Sequence, residues 1–309
     1  MNAKSAAGTF QVTVLGSSAA TPTSLRHTSA QVLQHHNNWY LLDCAEGTQM
    51  QIRRFKVPMM RISHVFISHL HGDHYLGLPG LLFSMHLLGR NKPLHVYSPP
   101  GLREIIELQF KVSGLIPVYE TIFHEVRQGG EVVYRDPVLE VESLEMAHRI
   151  PCFGYLFRET TRERNIIKQS IPRYDIPVEQ MPGIKQGRDL VLPDGKTVPN
   201  ERITTSPPEP RTYAFCSDTA YTEKFLPQIR GADLLYHEAT FLGDRAETAR
   251  EKTHSTTIEA ATIAKKAGVG RLMLGHYSAR YKDMQLFLKE AQEVFPDTLL
   301  AEEGMVVPV

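Results

Sequence analysis

At 309 residues with 42% hydrophobic side chains, the chain is long enough for one large α/β domain or two ordinary ones, with a sizeable buried core. Its 34 basic and 34 acidic residues cancel, so no overall field announces nucleic acid or a membrane surface, and any polyanion must be met by locally placed charge. Three widely spaced cysteines, Cys44, Cys152 and Cys216, fit reduced thiols in a cytoplasmic protein better than a secreted disulfide framework, the opening MNAKSAAGTF lacks the apolar stretch of an export signal, and no run of about 18 apolar residues suggests a membrane span.

In chain order, the apolar runs QVTVLG, WYLLDC, HVFIS, LHVYS, TYAFCSD, ADLLYHE and RLMLGH read as short buried strands. Between them YLGLPGLLFSMHLLGR, GLREIIELQFKVSG and TTIEAATIAKKAG carry apolar residues at helical spacing. Residues 8–68 and 131–157 resemble meanders more than βαβ units, so the expectation is a layered α/β protein with mixed sheets. Residues 158–211 break the pattern: they are rich in Pro, Arg and Lys, carry MPGIKQG and LPDGK turn chemistry, and lack long apolar periodicity. They are expected to form an inserted arm, functional or partly disordered, in a main domain made of residues 1–157 and 212–309.

Directly after HVFIS come His69, His71, Asp73 and His74 in the run HLHGDH. Alternating side chains at a strand end converge on one side of a turn, and imidazoles clustered with a carboxylate are the nitrogen and oxygen donors that suit zinc. Downstream, His148 follows VLEVESLEMA, Asp218 follows TYAFCS and His276 follows RLMLG, each near the end of a strand-like run.

HLHGDH followed by LGLPGLL resembles the signature of the metallo-β-lactamase superfamily, which implies an αββα sandwich of two mixed sheets flanked by helices. The resemblance implies that His69, His71 and His148 hold one metal, that Asp73, His74 and His276 hold a second, and that Asp218 bridges them. Two metals roughly 3.5–4 Å apart can share a carboxylate, lower the pKa of water and clamp the attacking and leaving oxygens of a phosphodiester. Asp73 would then act as general base as well as ligand. The implied cofactor is two zinc ions per subunit, with manganese the other candidate for the metal.

More local segments narrow the resemblance. LGSSAATPTSLRHTSA, LLDCAEGTQMQIRR, AHRIPCFGYLFRE, YHEAT, KTHSTT and GHYSARY are similar to segments of the ribonuclease Z family, with His27 where that family usually has Asn and Ala45 where it usually has Gly. The family resemblance implies a zinc-dependent endoribonuclease that cleaves precursor transfer RNA at its 3′ end, leaving a 3′-hydroxyl on the tRNA and a 5′-phosphate on the trailer. It implies that Glu238 of HEAT and His254 of HST pair beside the metals. A leaving 3′ alkoxide needs a proton, which a protonated His254 held by Glu238 can supply; the alternative is that both residues buttress the site. Independently, Thr256 and Glu259 read as a capping box that would pin a helix start just after His254. Ser278, Arg280 and Arg26 are candidate phosphate contacts, since a hydroxyl and guanidinium groups receive phosphate well. The arm falls where bacterial members insert the exosite that grips the transfer-RNA elbow, with Arg158, Arg162, Arg164, Lys168, Arg173, Lys185, Arg188 and Lys196 as its basic residues and Met181-Pro182-Gly183 nearest to the family's Gly-Pro tip. The family also implies a homodimer. The rival readings are another hydrolase of this fold, acting on small phosphodiesters or aryl sulfates, and an inactive RNA-binding scaffold. His35, His36, His64, His86, His95 and His124 fit no motif.

Overall fold

The computed structural model describes residues 8–161 and 163–309. Residues 1–7, on which most of the reading of the N-terminus falls, and Arg162 lie outside them. The described residues form two compact units by backbone contact: residues 136–139 with 159–210, and the remainder.

The larger unit is an αββα sandwich. One seven-stranded sheet runs Val306–Pro308, Phe10–Gly16, Ala30–His35, Asn38–Leu42, Ile62–Phe66, Leu94–Ser98, Thr121–Glu125, and the other runs Thr298–Leu300, Arg271–Gly275, Leu234–Glu238, Thr212–Cys216, Phe153–Glu159, Leu139–Glu145, Val132–Arg135. Both are mixed. In the first sheet the strands up to Asn38–Leu42 pair antiparallel and the later ones parallel; in the second, Thr212–Cys216, Leu234–Glu238, Arg271–Gly275 and Thr298–Leu300 are parallel.

Near-continuous apolar runs suit strands buried on both faces, because alternate side chains serve different cores. Val65 and Ile67 pack outward with Ile52, Leu81, Met85, Ile106 and Phe110. Phe66, between them in sequence, turns inward against Tyr155 and Phe157 at ring-centroid distances of 5.1 and 5.3 Å. On the opposite outer face Leu235, Leu272 and Leu274 pack with Ala260, Ile263, Ala264 and Phe287. The expected helices are present as Leu78–Leu87, Leu102–Ser113 and Thr257–Ala267. Gly77 could be no larger residue, because a Cβ there would meet the Ala45 carbonyl oxygen at 1.9 Å. The close approach lets Gly77 donate to the Cys44 carbonyl and fixes the helix start beside the HLHGDH turn.

The smaller unit differs from the loop-like expectation. Ile176, Ile184, Leu190, Val198 and Ile203 form a core of their own, closed by the pairing of Asn165–Ile166 with Thr204–Thr205 and by a hairpin of Leu190–Val191 with Thr197–Val198. The apolar residues are too sparse and too far apart in sequence to register as periodicity. MPGIKQG, read as turn chemistry, instead begins the short helix Met181–Lys185, since proline is tolerated in a first helical turn. LPDGK does form the hairpin turn, with Gly195 at φ 81°. Among the described residues no helix is long and apolar enough to cross a membrane.

Candidate metal centre

The parallel strands of the second sheet end together, and the residues just beyond their carboxyl ends meet the HLHGDH turn of the first sheet. His69, His71, His148 and Asp218 offer ligand atoms all within 4.8 Å of one another, as do Asp73, His74 and His276. Asp218 touches both groups: Oδ1 lies 3.4 Å from His74 Nε2 and 3.2 Å from His276 Nε2, and Oδ2 lies 3.7 Å from His69 Nε2. Asp73 Oδ2 is 3.5 Å from both His74 Nε2 and His276 Nε2. His71 presents Nδ1, 2.9 Å from His69 Nε2 and 3.2 Å from His148 Nε2.

The outward nitrogens are tied down, which selects the inward ones for a metal. His74 Nδ1 donates to Asp43 Oδ2 at 2.7 Å, and Ser29 Oγ and the Ser68 amide also donate to that carboxylate. His148 Nδ1 donates to the Thr253 carbonyl at 3.0 Å. Thr240 Oγ1 gives its proton to Glu238 Oε2 at 2.9 Å, so it accepts from His276 Nδ1, also 2.9 Å away. Asp73 Oδ2 accepts from the Ala20 amide at 2.7 Å. Ala20, Asp43, Thr253 and His276 all hold left-handed backbone, with φ of 62°, 54°, 56° and 60°. Non-glycine residues pay strain for that conformation, and such strain gathers at functional sites.

Three buried atoms of the centre, His74 Nε2, His276 Nε2 and Asp218 Oδ1, have no hydrogen-bond partner. Leaving a buried polar atom unmade costs about 1–3 kcal/mol, so three aimed at one point fit a cation there. The electrostatics agree. Burial alone would raise Asp218, yet His276 and His74 beside it hold its carboxyl well below the usual carboxylate range. Burial holds His69, His71 and His148 below the usual imidazole range, leaving neutral rings with a lone pair to give. The donor set suits a divalent metal.

Beside this centre, His254 Nδ1 lies 2.9 Å from Glu238 Oε1 and 3.8 Å from Asp218 Oδ2. Burial pulls His254 down, but the Glu238 carboxylate outweighs it and the imidazole is pushed up to about 9. The Thr256–Glu259 capping box forms as read and pins the helix after His254. Arg280 donates to Ser278 Oγ at 3.1 Å and lies over the Phe241 ring at 5.2 Å, and that ring contacts His254 at 6.2 Å. Arg26 lies in a different setting: its Nη2 donates to the Tyr281 carbonyl at 2.9 Å and so ties the first loop to GHYSARY. His27 pairs with Glu303, its Nδ1 at 3.1 Å from Oε2.

Sequence reasoning missed Asp43, Thr240 and Thr253. The WYLLDC run did place an acid at a strand end, the same setting that singled out Asp218, but the two threonines carried no signal.

A family model described as Anti-Pycsar protein Apyc1 matches residues 10–112, less than half of the chain. Among solved structures, human tRNase Z, short form, is 28% identical with a TM-score of 0.71, the match covering 96% of this chain and 98% of that one. The metallo-β-lactamase fold protein YhfI from Bacillus subtilis, 23% identical with a TM-score of 0.69 and covering 98% of this chain and 100% of its own, shares the fold. The ribonuclease Z of Bacteroides fragilis is 42% identical over 300 residues, 96% of this chain and 98% of that protein, and that of Parabacteroides distasonis is 44% identical over 303 residues, 97% and 99% respectively. With identity at this level running the length of both sequences, the chain belongs to the ribonuclease Z family.

Proposed function

We propose that the chain is an endoribonuclease that cuts precursor transfer RNA at its 3′ end, leaving a 3′-hydroxyl on the tRNA and a 5′-phosphate on the trailer. In this reading His69, His71 and His148 would hold one zinc ion, Asp73, His74 and His276 would hold a second, and Asp218 would serve both. When bound, the pair supplies Lewis acidity to the phosphodiester and lowers the pKa of water. Asp73, oriented by the Ala20 amide, receives the proton of the attacking water. His254 gives its proton to the departing ribose 3′ oxygen, and Glu238 holds the ring in position for that transfer. Arg280, with Ser278, lies beside His254 and takes a substrate phosphate; Arg26 holds the loop that carries them.

The Glu238–His254 pair carries this reading. An aryl sulfate or nitrophenyl ester releases a stable leaving group and needs no proton, whereas a ribose alkoxide does. The smaller unit supports a polyanionic substrate: Lys168, Arg173, Lys185 and Arg188 are exposed, as is Lys196 in its pair with Asp194 at 2.8 Å, while Arg164 is spent on Thr204 at 2.7 Å. The test is cleavage of precursor transfer RNA by the full chain and by one in which residues 164–205 are replaced with a short Gly-Ser linker. The linker chain should lose far more on RNA than on bis(p-nitrophenyl) phosphate and should bind RNA with a shallower salt dependence, by about 0.7–0.9 in log–log slope for each lost phosphate contact. Equal losses on the two substrates would favour the small-substrate hydrolase.

The cytoplasm suits three free, buried cysteines. A homodimer is supported by an apolar face on two neighbouring helices and the segment after them, where Leu87, Leu108, Val112, Ile116 and Val118 are 61–85% exposed. Phe83 and Phe110 join those helices at a ring distance of 5.6 Å. Such a patch on a soluble chain marks an association surface. Sedimentation should give twice the monomer mass, and Val112→Asp with Ile116→Asp should return the monomer.

A further inference from the structure

We infer that the cleft beside His148 is a second phosphate-binding subsite, in which Arg127 and Arg149 take backbone phosphates of the RNA strand next to the scissile bond. The inference rests on the reading of the substrate as precursor transfer RNA and adds to it where a flanking stretch of that strand lies.

The cleft has a volume of about 380 Å³, within the roughly 300–1,000 Å³ usual for ligand sites. His148 forms part of its wall and also belongs to the first ligand group, so a strand lying in the cleft continues onto the metal centre. Arg149 is the next residue in the chain and is exposed. Arg127 lines the same cleft and pairs with Glu125, their side chains being 69% and 36% exposed. A surface pair of this kind holds weakly and yields to a phosphate, which a planar guanidinium grips through two parallel hydrogen bonds. Glu145 also lines the cleft. Arg127 and Arg149 are thus the cationic groups of the lining and Glu145 the anionic one, with Glu125 held on Arg127 from outside it.

The charge distribution gives this cleft a purpose. The chain is neutral overall, so no general field draws in a polyanion. Phosphates to either side of the scissile bond therefore need cations placed locally. Arg280 follows the ligand His276 of one group, and Arg149 follows the ligand His148 of the other.

The experiment uses the full, metal-loaded chain and the Arg127→Ala, Arg149→Ala double variant. Affinity for precursor transfer RNA is measured across a salt series, beside turnover of bis(p-nitrophenyl) phosphate. For two contacts to a single strand, the slope of log affinity against log salt should become shallower by about 1.4, at about 0.7 per contact. The loss on RNA should exceed any loss on the small diester by tenfold or more, and Arg149→Lys should recover part of the slope. Coinciding RNA curves for native and variant chains would overturn the subsite. Equal losses on RNA and diester would overturn it too, because they would mean that His148 had been disturbed. Failure of the underlying reading shows elsewhere, as native chain that binds the precursor without cutting it.

Discussion

Asp218→Ala should lower the bound metal below two per chain and abolish hydrolysis of RNA and small diesters alike. Its two carboxylate oxygens face His74, His276 and His69 at 3.4, 3.2 and 3.7 Å, so this one side chain joins both ligand groups. In the proposed site, removing it would take away a shared ligand and the negative charge that would let two cations sit close together. Folding should survive. The contact that Asp218 makes with the second core runs through its backbone, whose carbonyl accepts from Cys152 Sγ at 3.4 Å, and that remains in the alanine variant. Native mass spectrometry counts the metals, and two retained metals with normal turnover would sink the assignment of the site.

His254→Ala should keep its metals and lose turnover of RNA by roughly a hundredfold or more, the scale of a missing general acid. A nitrophenyl diester should suffer much less, because its leaving group departs without a proton. The substitution isolates the proton well. Glu238, buried and left without its imidazole, still accepts from the Thr219 amide at 3.1 Å, the Ser255 amide at 3.0 Å and the Thr240 amide and hydroxyl, both at 2.9 Å. The carboxylate therefore stays satisfied and the loop stays in place. Equal losses on both substrates would give His254 a supporting role only.

The centre was largely legible because its signals are local. HLHGDH packs four donors into six residues, and His148, Asp218 and His276 each follow an apolar run that ends at the same edge of the sheets. The capping box behind His254 was readable for the same reason, since Thr256 and Glu259 complete it within one turn. What was hidden depends on distance along the chain. Asp43 acts through His74, 31 residues away, and Thr253 through His148, 105 residues away. Neither contact leaves a periodic trace. The small core of residues 159–210 escaped for a related reason: Ile176, Ile184, Leu190, Val198 and Ile203 are brought together by short pairings rather than by one amphipathic element. Arg26 was singled out by charge alone, and charge does not show that its guanidinium reaches the Tyr281 carbonyl, 255 residues further on.

The most direct test of the account is the chemistry of the ends made when the metal-loaded full chain meets a precursor transfer RNA with a 3′ trailer. A base that places water on the phosphorus and an acid that protonates the ribose 3′ oxygen must leave a 3′-hydroxyl on the tRNA and a 5′-phosphate on the trailer. Ligation and mass analysis of both fragments read this out. The expected result is those two ends from a single cut, lost on dialysis against chelator and restored by zinc. A 2′,3′-cyclic phosphate on the tRNA, or no cut by a preparation that hydrolyses bis(p-nitrophenyl) phosphate, would contradict it.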